Sequence, residues 1–152
     1  MSRYIPAKDR KAVSERAMGM CEYCLMHEDD GFFTFHIDHI ISLKHGGTNE
    51  LDNLCLACMF CNGNKSSDIG TILLPGDRFI RLYNPRKDKW QDHFTFDKDE
   101  GILQAKTDIG RATIKVLEMN KKDRCMERES LAKLDRYLPE VASTYLDNQA
   151  SS

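Results

Sequence analysis

Apolar and polar positions along the first half of the chain predict one helix, one strand and a short second helix. Residues 7–18 contain good helix formers without Gly or Pro, which predicts a helix that ends at Gly19. Residues 32–41 combine Phe and Ile with polar positions, as expected of a strand or hairpin arm. The Gly-rich residues 44–50 predict a loop, and the segment CNGNKSSDI, which starts at Cys61, is expected to begin a short helix.

The second half of the chain has a different pattern. The alternation in RFIRLYN, residues 78–84, predicts a strand, and HFTF and ILQAK around DKDEG predict a hairpin over residues 93–106. Apolar residues at helical spacing predict a helix over 109–122, with Asp108 as a candidate N-cap. A last helix is expected at about 127–137, followed by a polar tail.

Length and composition are those of an ordinary globular protein. The chain has 152 residues, of which 41% are hydrophobic and 30% are charged, which fits one domain or a small domain with an extension. No apolar run reaches the roughly 18 residues that span a bilayer, and the N-terminus has no apolar signal segment. These features predict a soluble, cytoplasmic protein without a membrane partner.

Charge is unevenly distributed. The formal net charge is −2, but residues 69–125 hold 12 Lys and Arg against 9 Asp and Glu, which gives +3, whereas residues 1–68 hold 7 against 10, which gives −3. The basic middle segment is a modest indication of a polyanion-binding surface. A solvated charged face explains it equally well.

Six cysteines are spaced in a way that indicates a metal site. Cys21 and Cys24 form one C-x2-C pair, and Cys58 and Cys61 form a second, which together supply the four thiolates of a structural zinc site. Cys55 competes for this role, because Cys55 and Cys58 have the same spacing. The alternative is that the cysteines are small buried apolar residues; Cys125, which stands apart, is most simply a packing residue.

A His-Asp-His cluster interrupts the predicted strand. The run FHIDHII places His36, Asp38 and His39 where a plain strand would carry other residues. A zinc brace holds a small module in shape but does not explain this cluster.

The run from the cluster to the second cysteine pair resembles the HNH endonuclease family, the ββα-metal or His-Me finger fold, in a zinc-braced form. The matching elements extend over residues 12–66; they are Asp38-His39, Gly46-Gly47-Thr48, Asn53-Leu54, Cys58-x2-Cys61-Asn62-x2-Lys65 and the upstream CEYC. The resemblance implies an α+β protein: a nuclease module with a four-cysteine zinc brace at residues 1–68, and an extension of a small β-hairpin and helices at 69–152, packed on the module.

The resemblance also implies roles for individual residues. His39 would be the general base, Asp38 and Asn62 would hold a catalytic divalent ion, and Asn53 would brace the loop between the strands and so fix His39. Asn62 stands where the family name has its last His, which makes this an HNN variant. Because an amide oxygen is a hard, neutral ligand, Mg²⁺ or Mn²⁺ is the expected catalytic cofactor, beside structural Zn²⁺.

Four further residues are candidates for nucleic-acid contacts. Lys65 follows Asn62 by one helical turn and fits a phosphate contact, although a solvated lysine fits equally well. His36 shares the strand face of Asp38, with a partly exposed strand histidine as the alternative. Arg86 and Arg111 lie in the second half, which resembles the tail that follows the HNH module in one bacterial branch, and they are candidates for tracking a DNA backbone.

The expected function is metal-dependent hydrolysis of DNA phosphodiester bonds. The alternative is a catalytically inactive, zinc-braced module that binds nucleic acid, and RNA remains open as the substrate. A monomer with one site would nick one strand, whereas double-strand cutting would indicate a homodimer or paired nicks. A purely structural zinc protein would not need the Asp-His pair on the strand.

Overall fold

The computed structural model describes residues 4–151, in which short strands and helices alternate. The elements are, in chain order, α1 (Ala7–Arg16), β1 (His36–His39), β2 (Leu54–Ala57), α2 (Met59–Lys65), β3 (Gly70–Leu73), β4 (Arg78–Arg81), α3 (Trp90–His93), β5 (Phe94–Asp97), β6 (Ile102–Ala105), α4 (Asp108–Val116), α5 (Lys122–Lys133) and α6 (Glu140–Ser151). The strands form three separate antiparallel pairs, β1–β2, β3–β4 and β5–β6. The protein is of the α+β class, as predicted.

The first strand pair and the helix that follows it position the candidate site. β1 and β2 are antiparallel, with Asp38 opposite Cys55 and His39 opposite Leu54. α2 begins directly after β2, where the Sγ of Cys58 caps the helix by accepting a hydrogen bond from the backbone N–H of Cys61. The result is the ββα arrangement that the resemblance implies, with α2 packed against both strands.

Side chains from both halves of the chain pack in one buried core. Trp90, 2% exposed, donates a hydrogen bond of 2.8 Å from its indole N–H to the carbonyl of Tyr23. Tyr145 of α6 donates from its hydroxyl to the buried carboxylate of Glu22 at 2.9 Å. The C-terminal half therefore holds the turn that carries the first cysteine pair. The predicted boundary at residue 68, between a nuclease module and an extension, stays a prediction.

Several predicted elements are confirmed, with shorter bounds. α1 matches the helix expected at 7–18, and β5 and β6 form the expected hairpin. The strand expected over 32–41 is reduced to β1, because the flanking residues have no backbone partner strand in the described chain. No helix of the described residues is long and apolar enough to cross a membrane.

Three details of the second half were predicted wrongly. Thr107, rather than Asp108, caps α4, because its Oγ1 accepts a hydrogen bond from the N–H of Gly110. α5 begins at Lys122, five residues before the expected start. The expected polar tail is α6, which buries apolar side chains at helical spacing against the core; these are Ala142, Tyr145 and Leu146.

Candidate functional site

The four cysteines of the two C-x2-C pairs converge on one point in the core. The Sγ atoms of Cys21, Cys24, Cys58 and Cys61 all lie within 4.8 Å of one another, and all four residues are buried. The first pair lies in the turn after α1, where the Sγ of Cys21 accepts from the N–H of Cys24 at 3.5 Å. The second pair belongs to the first turn of α2, which begins at the Cys58 cap.

The donor set of this cluster fits zinc. Four thiolates at about 2.3 Å from Zn²⁺ form a tetrahedron whose edges are about 3.8 Å long. The Sγ atoms of Cys24 and Cys58 are 3.8 Å apart. Four buried sulfur donors without a carboxylate or an imidazole among them match a closed structural site, which leaves no position open for chemistry.

Cys55 lies outside the cluster, although its spacing from Cys58 is the same as that of Cys61. It is on β2 opposite Asp38, and its Sγ lies 3.8 Å from Oδ2 of that residue. Because paired residues of neighbouring strands share a face of the sheet, Cys55 lies beside Asp38, and its sulfur is not one of the four that cluster. The geometry therefore selects Cys58 and Cys61 as the second pair.

Asp38 is held in place by three donors that converge on one of its carboxylate oxygens. The side chain is buried, and its Oδ2 accepts a hydrogen bond of 2.7 Å from the hydroxyl of Tyr23. The Nζ of Lys65 lies 3.1 Å from the same oxygen, and Cys55 is the third donor. Burial raises the pKa of Asp38, and the charge of Lys65 and the hydrogen bond from Tyr23 oppose this rise.

Asp38, His39 and Asn62 line one open cavity of about 520 Å³. β1 supplies the first two residues, and the middle of α2 supplies Asn62. The remaining lining residues are mostly small or polar; they are Ile37, Ser42, Leu43, Lys44, Gly63, Ser66 and Ser67. A carboxylate, an amide and an imidazole at the wall of a solvent-open cavity can bind a hard cation and accept a proton.

The imidazole of His39 is oriented by a residue that the sequence analysis did not identify. Its Nε2 lies 2.7 Å from Oδ1 of Asn49, and because an amide oxygen only accepts, Nε2 is the nitrogen that carries the proton and donates. In the neutral ring Nδ1 is then the nitrogen with a lone pair. Asn49 lies in the Gly-rich loop, two residues after Gly47, and nothing in its spacing indicates this contact.

Asn53 braces the loop between the two strands. Its Oδ1 accepts from the N–H of Ile41 at 2.9 Å, and its Nδ2 donates to the carbonyls of Ile41 and Thr48 at 2.9 and 2.8 Å. The loop returns so closely that a Cβ at Gly47 would lie 1.7 Å from the carbonyl oxygen of Ile41. Asn53 thus contacts the backbone on both sides of the loop that carries Asn49, but it does not contact the His39 ring directly.

The nucleic-acid contacts predicted for Lys65 and Arg86 require correction. Lys65 is 1% exposed and donates to the carbonyl of His39 at 3.0 Å besides pairing with Asp38, so it is neither solvated nor presented to a phosphate. The guanidinium of Arg86 is committed to the buried carboxylate of Glu22. Both cations hold the fold together instead.

The other two candidates for nucleic-acid contacts are on the surface. His36 is exposed at the start of β1, and it does not line the cavity of Asp38. Arg111 is exposed on α4, where it pairs with Asp108 at 3.0 Å. Their contacts with nucleic acid stay predictions.

Comparison with known families identifies the segment that contains this site. Residues 21–68, about a third of the chain, match the family model described as HNH endonuclease. The matched segment includes the four clustered cysteines and all three cavity residues named above, so the cluster is consistent with a zinc-braced variant of the domain. No curated protein and no solved structure matches the chain significantly.

Proposed function

We propose that this protein is a metal-dependent endonuclease that hydrolyses DNA phosphodiester bonds, because residues 21–68 match the HNH endonuclease family model. His39 acts as the general base, and Asp38 and Asn62 hold one divalent ion. The observation that supports this most strongly is the single open cavity lined by these three side chains. A purely structural module has no need for such a grouping.

In the proposed reaction, His39 activates the attacking water. Its Nδ1 accepts a proton while the water oxygen forms a bond to phosphorus, and the bond from phosphorus to the leaving oxygen breaks as that oxygen takes a proton from solvent. Asn49 supports this role, because its Oδ1 holds the proton on Nε2 and keeps the lone pair on Nδ1. After the reaction, the imidazolium returns its proton to solvent through the open cavity.

Asp38 is prepared to bind a cation through one oxygen. Tyr23, Lys65 and Cys55 all approach Oδ2, so Oδ1 is the oxygen that we assign to the ion, together with the amide oxygen of Asn62. When Mg²⁺ or Mn²⁺ is bound there, it neutralises the charge that develops on the phosphoryl and leaving oxygens. The positive charge of Lys65 offsets part of the carboxylate charge, which favours a weakly held, exchangeable ion.

A nucleic-acid-binding module without cleavage is the second candidate, because the family match is compatible with binding alone. Zinc sites made of four cysteines are closed and structural, so the zinc does not distinguish the two functions. With one cavity of this kind among the described residues, a monomer would nick a single strand, while double-strand cutting would require a dimer or paired nicks. The two functions differ in whether the phosphodiester backbone of the nucleic acid is cut.

The proposal is tested by incubating the wild-type protein with supercoiled plasmid. The protein is first freed of exchangeable divalent ions, with its zinc content measured before and after, and Mg²⁺ or Mn²⁺ is then added to half of the sample. We expect conversion to the nicked form only in the sample with added ion. Binding of the plasmid without cleavage in either sample would favour the second candidate, and cleavage of RNA in place of DNA would redefine the substrate.

A further inference from the structure

Two arginines of α5 are buried, one helical turn apart. Arg124 is 4% exposed and Arg128 is 1% exposed. A guanidinium is charged at all working pH values and carries five donors, so a buried arginine requires acceptors. Arg124 has two of the four clustered sulfurs among its acceptors, whereas the acceptors of Arg128 lie outside the cluster.

Arg128 bonds to oxygen atoms of the surrounding turns and has a longer contact of 3.6 Å from its Nη2 to Sγ of Cys125, which is not one of the four clustered sulfurs. Its Nε donates to the carbonyl of Gly101 at 2.8 Å, and its Nη2 donates to the carbonyl of Met119 at 2.7 Å and to Oδ1 of Asn120 at 3.0 Å. These contacts join α5 to the β5–β6 hairpin and to the turn before α5. These hydrogen bonds give the buried guanidinium of Arg128 its acceptors, so its burial is explained by a structural role.

Arg124 points at the cysteine cluster. Its Nη2 donates to Sγ of Cys61 at 3.5 Å and to Sγ of Cys58 at 3.8 Å, and its Nη1 has a weaker contact of 3.4 Å with the carbonyl of Leu117. The guanidinium carbon also lies 5.4 Å from the ring centroid of Phe60, on α2. Arg124 takes part in no carboxylate ion pair among the residues that the structure describes.

Charge explains why a guanidinium belongs at this position. Four thiolates around one Zn²⁺ carry a net charge of −2, and the four sulfurs here are buried. Such a charge is costly to bury without compensation, and charge-assisted hydrogen bonds to the ligands are a common form of compensation. Hydrogen bonds to metal ligands also fix their orientation and contribute to the affinity for the metal.

We propose that Arg124 is an outer-sphere partner of the zinc centre. Through this residue, the C-terminal region supplies a guanidinium to cysteine ligands of the HNH domain. The inference rests on zinc occupying the cluster of four cysteines. It extends the metal centre beyond residues 21–68, because Arg124 lies far outside the matched segment. Segment 21–68 by itself holds the four sulfurs but lacks the cation that balances them.

Three variants of the full-length chain test this proposal. Arg124→Gln removes the charge, Arg124→Lys keeps the charge without the planar guanidinium, and Arg128→Gln removes the neighbouring buried arginine that does not contact the four sulfurs. The rate of zinc release to a colorimetric chelator is measured for each. The thiolate-to-metal charge-transfer absorption is measured after replacement of zinc by Co²⁺, because it responds to the sulfur ligands and not to general stability.

We expect Arg124→Gln to release zinc about 10- to 100-fold faster than the wild type and to shift the Co²⁺ absorption. Arg124→Lys should release zinc at a rate between those of the wild type and Arg124→Gln. If Arg124→Gln does not fold, Arg124→Lys provides the test. Arg128→Gln should keep the wild-type absorption even if its melting temperature falls.

Unchanged release and absorption in both Arg124 variants, or equal changes in Arg128→Gln, would overturn the role of Arg124. A wild-type protein without zinc would overturn the zinc assignment as well, while the nuclease proposal is decided by the plasmid experiment.

Discussion

Tyr23, which lies between the two cysteines of the first pair, donates a hydrogen bond of 2.7 Å to Oδ2 of Asp38. One short segment therefore supplies two ligands of the candidate zinc site and one donor to the candidate ligand of the catalytic ion. The backbone carbonyl of Tyr23 also accepts the indole N–H of Trp90, so the same residue is anchored from the C-terminal half. Tyr23 thus connects the segment of the first cysteine pair to the carboxylate of Asp38 and to the C-terminal half.

Replacing Tyr23 by Phe should weaken the binding of the activating ion. The carboxylate of Asp38 loses one of the donors that fix Oδ2, so Oδ1 is less well oriented toward the cavity. We expect the Mg²⁺ concentration for half-maximal cleavage to rise about 10-fold, as found for partners of metal ligands. The measurement is the cleavage rate as a function of Mg²⁺ concentration.

Tyr137→Phe is the matched control for this variant. Tyr137 is also buried and donates to the backbone carbonyl of Cys24 at 2.5 Å, but it does not contact Asp38. Both variants lose one buried hydrogen bond, with a cost of about 1–3 kcal/mol in the free energy of unfolding. Equal Mg²⁺ requirements in the two variants would show that Tyr23 has a structural role only.

Asn49→Ala should lower the rate of cleavage at saturating substrate. Without Oδ1 of Asn49, the Nε2–H of His39 loses its acceptor, and the ring no longer keeps its lone pair on Nδ1 toward the water. We expect kcat to fall about 10- to 100-fold with little change in KM, because a misoriented general base affects the chemical step. Thr48→Val is the control, because it changes the same loop without removing a contact to His39. Its kcat should stay near that of the wild type. An equal loss of kcat in both variants would contradict the role of Asn49.

Cys21→Ser and Cys55→Ser should differ in their zinc content. Cys21 belongs to the four clustered sulfurs, so its loss should strip the zinc or unfold the module. Cys55 faces Asp38 instead, so Cys55→Ser should retain about one zinc per chain. Elemental analysis of the purified proteins measures this, and full zinc occupancy in Cys21→Ser would refute the ligand assignment.

Lys65→Met should destabilise the fold. Removal of one partner from a buried ion pair leaves the carboxylate of Asp38 uncompensated, which costs about 3–5 kcal/mol in the free energy of unfolding. The measurement is urea unfolding at constant zinc. Lys44, an exposed lysine at the cavity of Asp38, provides the comparison, and Lys44→Met should leave stability nearly unchanged. Equal stability of Lys65→Met and the wild type would contradict the stabilising role of the pair between Lys65 and Asp38.

The sequence predicts those residues of this site that lie close together along the chain. The cysteine pairs, Asp38 and His39 are recognisable because their spacing follows from a turn, a strand and a helix. The partners of Asp38 and His39 are not recognisable, since Tyr23 and Asn49 reach them only after the chain has folded back. Lys65 shows the same limit: helical spacing places it one turn after Asn62, but only the packing of α2 on β1 decides that its ammonium group is buried.

Segments of the second half differ in how clearly the sequence marks them. The β5–β6 hairpin is predicted because alternating residues flank an evident turn. α6 was missed because its polar composition hides the apolar spacing of Ala142, Tyr145 and Leu146, which is a signal that a helical template would have found. Arg86 was assigned to the surface because nothing near it in the sequence indicates the buried carboxylate of Glu22.

The role of His39 as the base of a nuclease is decided by the initial rate of plasmid nicking in two histidine variants. His39→Ala removes the cavity histidine, whereas His27→Ala removes a histidine of the same domain that caps a turn by accepting the N–H of Asp29. We predict that His39→Ala loses about 10²- to 10⁴-fold in rate with zinc retained, while His27→Ala cuts at nearly the wild-type rate. A wild-type rate of metal-dependent nicking in His39→Ala would contradict this role.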